Sequence, residues 1–174
     1  IAVLALAFAL LMGGTVTGSD QIPAPPQKHP IALVGGTIHT VSGAVIEGAT
    51  ILFDKGKIVA IGKNIELPEG TETMDVSGQH VYPSLIETNS TLGLIEIGAV
   101  DVTRDMSELG EVNPSVRALV AINPDSEHLP VARANGIGIV ATKPTGGIIS
   151  GQAAIVMTDG WTWEDMALKE PAAM

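Results

Sequence analysis

Short apolar stretches separated by turn residues make up the first half of the chain after residue 30. Two of them, 49–53 and 57–61, flank Asp54-Lys55-Gly56, where Gly suits the positive φ of a hairpin turn. The spacing predicts an all-β module over residues 31–82. About fifty residues are few for a sandwich, so we expect the module to borrow strands from elsewhere. The predicted strands are 31–34, 37–41, 49–53, 57–61, 73–76 and 79–82.

A different pattern begins at Pro83. Leu85-Ile86 opens a strand, and the acidic stretch 92–123 resembles a loop. A helix is predicted between residues 124 and 136, followed by 137–142, a continuous apolar run typical of a strand buried on both faces. Because strand, helix and strand in this order form a βαβ unit, the pattern predicts the start of a parallel α/β barrel or open sheet.

Two further elements are predicted near residue 174. The stretch 153–157 is strand-like, and Thr162-x-x-Asp165 is a capping box that opens a second helix. The tryptophans at the start of this helix, Trp161 and Trp163, are expected to pack in the core.

The N-terminal pattern is that of an export signal. Residues 1–12 form an unbroken apolar run that is shorter than the roughly 20 residues a membrane-spanning helix needs, and that has the length of a secretory signal core. Small residues follow it, and residues 20–30 form a polar, Pro-rich linker. We therefore expect residues 1–19 to be a signal peptide and the protein to be secreted or periplasmic, with no membrane anchor after cleavage. The alternative is a buried strand or helix of the mature fold.

The amino-acid composition and net charge exclude several classes of binding partner and site. The chain is 45% hydrophobic and 16% charged, which is a globular composition and not a disordered one. A net charge of −10 would repel nucleic acids and anionic membranes, so neither is expected as a partner. The absence of Cys from the sequence excludes disulfides, thiolate zinc sites and a Cys nucleophile among these residues.

Three segments of the chain together resemble the N-terminal part of proteins of the amidohydrolase superfamily, and they are most similar to its imidazolonepropionase-like members. They are 34–38, 54–62 and 75–83, and the resemblance extends over about residues 31–94. It implies an α/β protein: a composite β-sandwich module at 31–82, beside a (β/α)8 TIM barrel that begins at 83–174 and is incomplete in this chain. It also implies one or two divalent metals, and we expect one zinc ion held by residues on later strands.

The chain departs from the superfamily at the first barrel strand. Members carry Asp-x-His-x-His there, whereas Asn89 and Thr91 stand at the two His positions of this chain. Imidazole is a strong zinc ligand, and amide and hydroxyl oxygens are weak ones. Strand alternation places Glu87, Asn89 and Thr91 on one face, toward the barrel mouth. We predict these three as residues that line a substrate cavity, and we assign no catalytic residue and no metal ligand within the chain.

The histidines and the Gly-rich stretch support no motif of their own. None of His29, His39, His80 and His128 has a metal ligand at a recognisable spacing, so each is predicted to be structural or solvated. The stretch 145–152 lacks the Lys of a phosphate-binding loop and is predicted to be a turn, with a role in lining the substrate cavity as the alternative.

Three functions are compatible with this sequence. In the first, the protein hydrolyses non-peptide C–N bonds of a small molecule, such as a cyclic amide, with metal-activated water. In the second, it is a degenerate amidohydrolase homologue that binds a ligand or partner. In the third, a small β-module acts in assembly, which the βαβ unit argues against because its strands would expose apolar faces. The sequence leaves a homo-oligomer open.

Overall fold

The computed structural model describes residues 22–174, which form two β-sheets. The predicted signal peptide at 1–19 lies outside the described residues, and residues 22–30 of the linker contain no helix or strand. The linker is bonded to two distant parts of the chain: the Ala24 N–H donates to Asp159 Oδ2 over 3.2 Å, and Gln27 Nε2 donates to the Phe53 carbonyl over 3.0 Å. No helix in this part of the chain has the length and hydropathy that crossing a membrane requires.

The first sheet has the strand order β3-β2-β1-β4, with β5 also paired to β1. β1, β2 and β3 form an antiparallel meander, whereas β4 and β5 run parallel to β1. The turn between β2 and β3 follows the sequence prediction, since Lys55 and Gly56 both have positive φ, as a two-residue hairpin turn requires. The strands are β1 Ile31–His39, β2 Val45–Asp54, β3 Lys57–Gly62, β4 Glu72–Asp75 and β5 His80–Val81.

The second sheet has the order β6-β7-β8-β9. β6 and β7 are parallel and are joined through helix α1, which is the predicted βαβ unit. β8 is antiparallel to β7, because residues 143–152 contain no helix that could carry the chain back for parallel pairing. β9 is antiparallel to β8. The described residues thus form an open mixed sheet, and the closed barrel stays a prediction. The elements are β6 Leu85–Ser90, α1 His128–Ala134, β7 Ile137–Thr142, β8 Ala153–Met157, α2 Trp163–Met166 and β9 Ala167–Ala173.

Helix α2 begins as predicted and is shorter than expected. Thr162 Oγ1 accepts the Asp165 N–H over 3.3 Å, which is the N-terminal cap. The helix ends after one turn because the chain continues into β9, a strand that the sequence did not predict. Trp163 packs against the core, whereas Trp161 is 61% exposed, so the expected core role is confirmed for the first and wrong for the second.

One core joins the second sheet to the helices and to the acidic loop 92–123. This loop carries single 3-10 turns at Asp101–Thr103 and Leu119–Ala121 and is otherwise irregular, as expected. The core side chains, each almost fully buried, are Leu94, Ala118, Leu119, Ile122, Leu129, Val140, Ala154, Val156 and Met166.

An ion pair fastens the acidic loop to β9. Arg117 Nε donates to Glu170 Oε1 over 2.8 Å, and its Nη2 contacts Oε2. The hydrogen bonds from Arg117, together with its charge, lower the pKa of Glu170 below its usual range. A lowered folded-state pKa means that the pair stabilises the fold above the ordinary Glu pKa, and that this contribution is lost as the pH falls through the folded value.

We expect the Glu170→Gln variant to be less stable than the wild type near neutral pH. The difference should begin to shrink as the pH falls below about 4.3 and should vanish below the lower folded-state pKa of Glu170. Urea midpoints across this pH range measure it. A double-mutant cycle with Arg117→Gln is the control, since the second change should cost little once the first partner is gone. A difference that stays constant into acid would contradict the assignment.

Candidate functional site

A cavity of about 650 Å³ opens where β6 and β7 end. Asn89 lies at the carboxyl end of β6, and Lys143 directly follows β7. Open α/β sheets bind ligands at the carboxyl ends of parallel strands, so this is the position where the fold predicts a site. The opposite wall is formed by Ile148, Ile149, Ser150 and Gly151 of the Gly-rich loop.

Hydrogen bonds hold the two strand ends together. The Lys143 N–H donates to the Ser90 carbonyl over 3.0 Å. Thr142, which is fully buried, donates its hydroxyl to the Leu92 carbonyl over 2.9 Å. Because one bond joins the backbones and the other uses a buried side chain, the floor of the cavity is fixed before any ligand binds.

The Gly-rich loop is held against the acidic loop. The Ile148 N–H donates to the Glu111 carbonyl over 2.7 Å, and the Asn113 N–H donates to the Ile149 carbonyl over 2.8 Å. Within the loop, Ser150 Oγ donates to the Gly146 carbonyl over 2.6 Å. A strand follows the loop, not the helix of a phosphate-binding loop, and the loop forms a wall of the cavity.

The three residues predicted to line a cavity have different positions. Asn89 lines it, together with its neighbour Thr88, whereas Glu87 and Thr91 are not in its lining. Glu87 Oε1 accepts the backbone N–H of Asn89 over 2.8 Å, and Thr91 lies beyond the strand, where its carbonyl accepts the Leu94 N–H.

A change of register in β6 accounts for this difference. Glu87 pairs with Val140 and Ser90 pairs with Thr142, so β6 holds one more residue than β7 over this interval. A bulge of this kind interrupts the alternation of side chains on which the sequence prediction relied. The shared face expected for Glu87, Asn89 and Thr91 is therefore not kept across the bulge.

Lys143 was not predicted as a site residue. It is the ionisable side chain among the residues that line the described part of the cavity. Its position could have been inferred, because it follows the predicted strand 137–142 and so lies at a strand end. Thr88 and Ser150 add hydroxyl groups that can donate or accept hydrogen bonds.

The cavity lining does not fit a divalent metal. Its polar groups are amide and hydroxyl oxygens, which are weak zinc ligands, and the ammonium of Lys143 repels a cation. Within residues 22–174, no three His, Cys, Asp or Glu side chains lie close enough together to hold a metal ion.

Two of the four histidines lie near glutamate residues, and the other two contact each other. His29 Nδ1 lies 3.7 Å from Glu72 Oε2, and His128 Nε2 lies 2.9 Å from the Glu96 carbonyl oxygen. His39 and His80, which are 41 residues apart, are in direct hydrogen-bonding contact. The sequence alone gave no indication of this contact, because it depends on the pairing of β5 with β1.

Comparison with known proteins supports the amidohydrolase superfamily. No family model matches the chain. The chain is similar to the crystal structure of an amidohydrolase from Thermotoga maritima, with a TM-score of 0.76 and 28% identity over 82% of this chain and 37% of that one. It is also 37% identical over 57 residues to a dihydroorotase from Geobacter metallireducens, which is 33% of this chain and 13% of that protein. This chain therefore spans well under half the length of both proteins. Neither comparison singles out the imidazolonepropionase-like group.

Proposed function

We propose that this amidohydrolase-like chain is part of an exported hydrolase that cleaves non-peptide C–N bonds of a small molecule, such as a cyclic amide. The observation that carries the proposal is the cavity at the carboxyl ends of β6 and β7, in a chain whose fold is similar to that of an amidohydrolase. Its volume of about 650 Å³ is in the range of small-molecule sites. The similarity to a dihydroorotase supports the same class of reaction.

The described residues are suited to binding and to stabilising charge. The side-chain amide of Asn89 can both donate to and accept from an amide group of the substrate. The Lys143 ammonium can stabilise the negative charge that develops on a carbonyl oxygen when water attacks it. Ser150 adds a hydroxyl on the opposite wall. This lining contains no carboxylate or imidazole that could serve as a general base.

The side chains that line this cavity do not supply the ligands of a metal ion. The zinc ion that the superfamily resemblance implies would need ligands outside residues 22–174. The same holds for the group that activates water. We assign both roles to other parts of the protein.

The second candidate is a degenerate homologue that binds a ligand in this cavity without turning it over. Asn89 favours it, since an amide occupies the cavity at a position where the superfamily carries an imidazole. Both candidates use a small molecule and no nucleic acid. Export to the periplasm or the medium rests on the pattern of residues 1–30, and N-terminal sequencing of the mature protein tests it.

The Lys143→Met variant of the whole protein tests the site. If Lys143 stabilises the developing oxyanion, kcat/KM for a cyclic amide or another C–N substrate should fall by about 10²–10³-fold with the fold intact. Asn89→Ala should also lower it. Lys63→Met, which removes an exposed charge beyond β3, is the matched control and should have no effect.

The outcomes separate the two candidates. Hydrolysis by the wild type that Lys143→Met leaves unchanged would contradict this assignment of the site. Ligand binding without turnover, weakened by Lys143→Met and by Asn89→Ala, would favour the degenerate homologue. Binding can be followed as the shift in melting temperature that saturating ligand produces.

A further inference from the structure

Two histidine rings meet on the first sheet, away from the cavity of Asn89 and Lys143. His39 Nε2 and His80 Nδ1 are 2.8 Å apart. The parallel register of β1 and β5 pairs Thr37 with His80, and residues 37 and 39 point to the same face of β1. The sheet backbone thus places both rings on one face, at the end of two paired strands.

An aromatic ring packs against this pair. Tyr82 stacks on His39 with ring centroids 4.1 Å apart and an angle of 12° between the planes. Tyr82 also lies near His80, with centroids 6.3 Å apart. His39 is partly buried and His80 is exposed, so one ring is held by its neighbours while water reaches the other.

We propose that His39 and His80 are the two protein ligands of a site for a divalent transition-metal ion, with Cu²⁺ bound most tightly. Two nitrogens bound about 2.0–2.1 Å from one metal ion, at an angle of roughly 90–110°, lie about 2.8–3.4 Å apart. The observed separation of 2.8 Å is at the lower end of this range, so the spacing of the two nitrogens already suits one ion. To bind it, each ring turns so that its nitrogen lone pair points to the ion and not along the line to the other ring.

The chemistry of the two rings allows this exchange. In the neutral pair, one of the facing nitrogens carries the proton of the hydrogen bond and the other accepts it. When a metal ion binds both nitrogens, the donating ring moves its proton to its other nitrogen, and both rings stay neutral. Two imidazole–metal bonds replace one hydrogen bond, and no net proton is released.

The surroundings favour a cation with open coordination positions. The His80 side chain is exposed, so water molecules can reach the ion as its remaining ligands. The largely apolar cavity of about 400 Å³ beside His39 and Tyr82 contains no Lys or Arg that would repel a cation, and the net charge of the chain is −10. Imidazole ligands suit copper, zinc and nickel, and affinity for such a site peaks at copper.

Titration of Cu²⁺ into the whole protein, stripped of metal with a chelator, tests the proposal. Calorimetry gives the Kd, and electron paramagnetic resonance detects nitrogen ligands. Loss of a residue that hydrogen-bonds to a metal ligand typically weakens metal binding by about tenfold or more, and loss of the ligand itself should cost at least as much. His39→Ala and His80→Ala should therefore each raise the Kd for Cu²⁺ by at least about tenfold. Zn²⁺ should compete with Cu²⁺ more weakly.

The other two histidines of the chain provide matched controls. His29→Ala and His128→Ala should leave the Kd unchanged, and so should Tyr82→Phe, which keeps the stacked ring. His39→Gln and His80→Gln repeat the test with side chains closer to His in size, should the Ala variants unfold. An unchanged Kd in the double variant would overturn the proposal, and so would a loss of Cu²⁺ binding in His29→Ala or His128→Ala. These measurements do not depend on hydrolysis, so the metal site and the proposed hydrolase activity can fail separately.

Discussion

Gly147→Ala is expected to lower the free energy of unfolding by about 2–5 kcal/mol, as the sum of left-handed backbone strain and overpacking. Gly147 has a φ of +63°, and a Cβ at this position would lie 2.8 Å from the Glu111 carbonyl oxygen and 3.0 Å from that of Gly110. Both atoms belong to the backbone, so no side-chain rotation relieves the contact. The Gly-rich loop would have to move away from the acidic loop, and the cavity wall would move with it.

A variant at the neighbouring Gly146 distinguishes the cost of backbone strain from the cost of the steric contact. Gly146 also has a positive φ, +95°, but a Cβ there would meet only Ser107 Cβ at 3.8 Å, an ordinary contact. Gly146→Ala should therefore cost only the backbone strain, about 1–3 kcal/mol. Urea unfolding of the two variants and of the wild type measures the difference. Equal losses would show that contact with Glu111 is not what requires glycine at position 147.

The sequence predicted those elements that are determined by residues close to one another in the chain. The hairpin at Asp54-Lys55-Gly56 was predicted because Gly suits the positive φ of a tight turn, and Gly56 has a φ of +70°. The cap at Thr162 was predicted because a hydroxyl three residues before Asp165 can accept its N–H. The strand–helix–strand order of β6, α1 and β7 followed from the same kind of signal.

The remaining features depend on contacts between distant residues. β4 and β5 lie parallel to β1, and no nearby residue determines that pairing. The contact of His39 with His80 follows from it and was missed for that reason. β9 was missed because the capping box at Thr162 predicted a continuing helix, whereas pairing with β8 converts the chain to a strand after one turn.

In the candidate site, some residue positions could be predicted from the sequence and others could not. Asn89 lies in the cavity lining at the end of β6, whereas Glu87 and Thr91, on either side of the bulge in β6, do not line it. A bulge is a mismatch in residue number between two paired strands, so the sequence of one strand alone does not reveal it. Lys143 could have been found by asking which residues follow each predicted parallel strand.

Leu94→Ala is expected to lower the free energy of unfolding by about 2–5 kcal/mol, the range for removing a large aliphatic side chain from a well-packed core. Leu94 is only 2% exposed and packs in the core of the second sheet. Its backbone N–H donates to the Thr91 carbonyl, and its own carbonyl accepts the Asp105 N–H. Since these bonds hold the backbone in place, the space left by the side chain cannot collapse easily, which favours the upper part of that range.

Leu109→Ala is the matched control for this loss. It makes the same chemical change in the same acidic loop, but Leu109 is 96% exposed, so its effect should stay within about 0.5 kcal/mol. Urea midpoints of both variants give the comparison. If Leu94→Ala were as mild as Leu109→Ala, the segment after β6 would not be anchored in the core. Leu92, which lies two residues before Leu94, accepts the hydrogen bond from Thr142 at the floor of the cavity. Without an anchor at Leu94, this floor would lose its support.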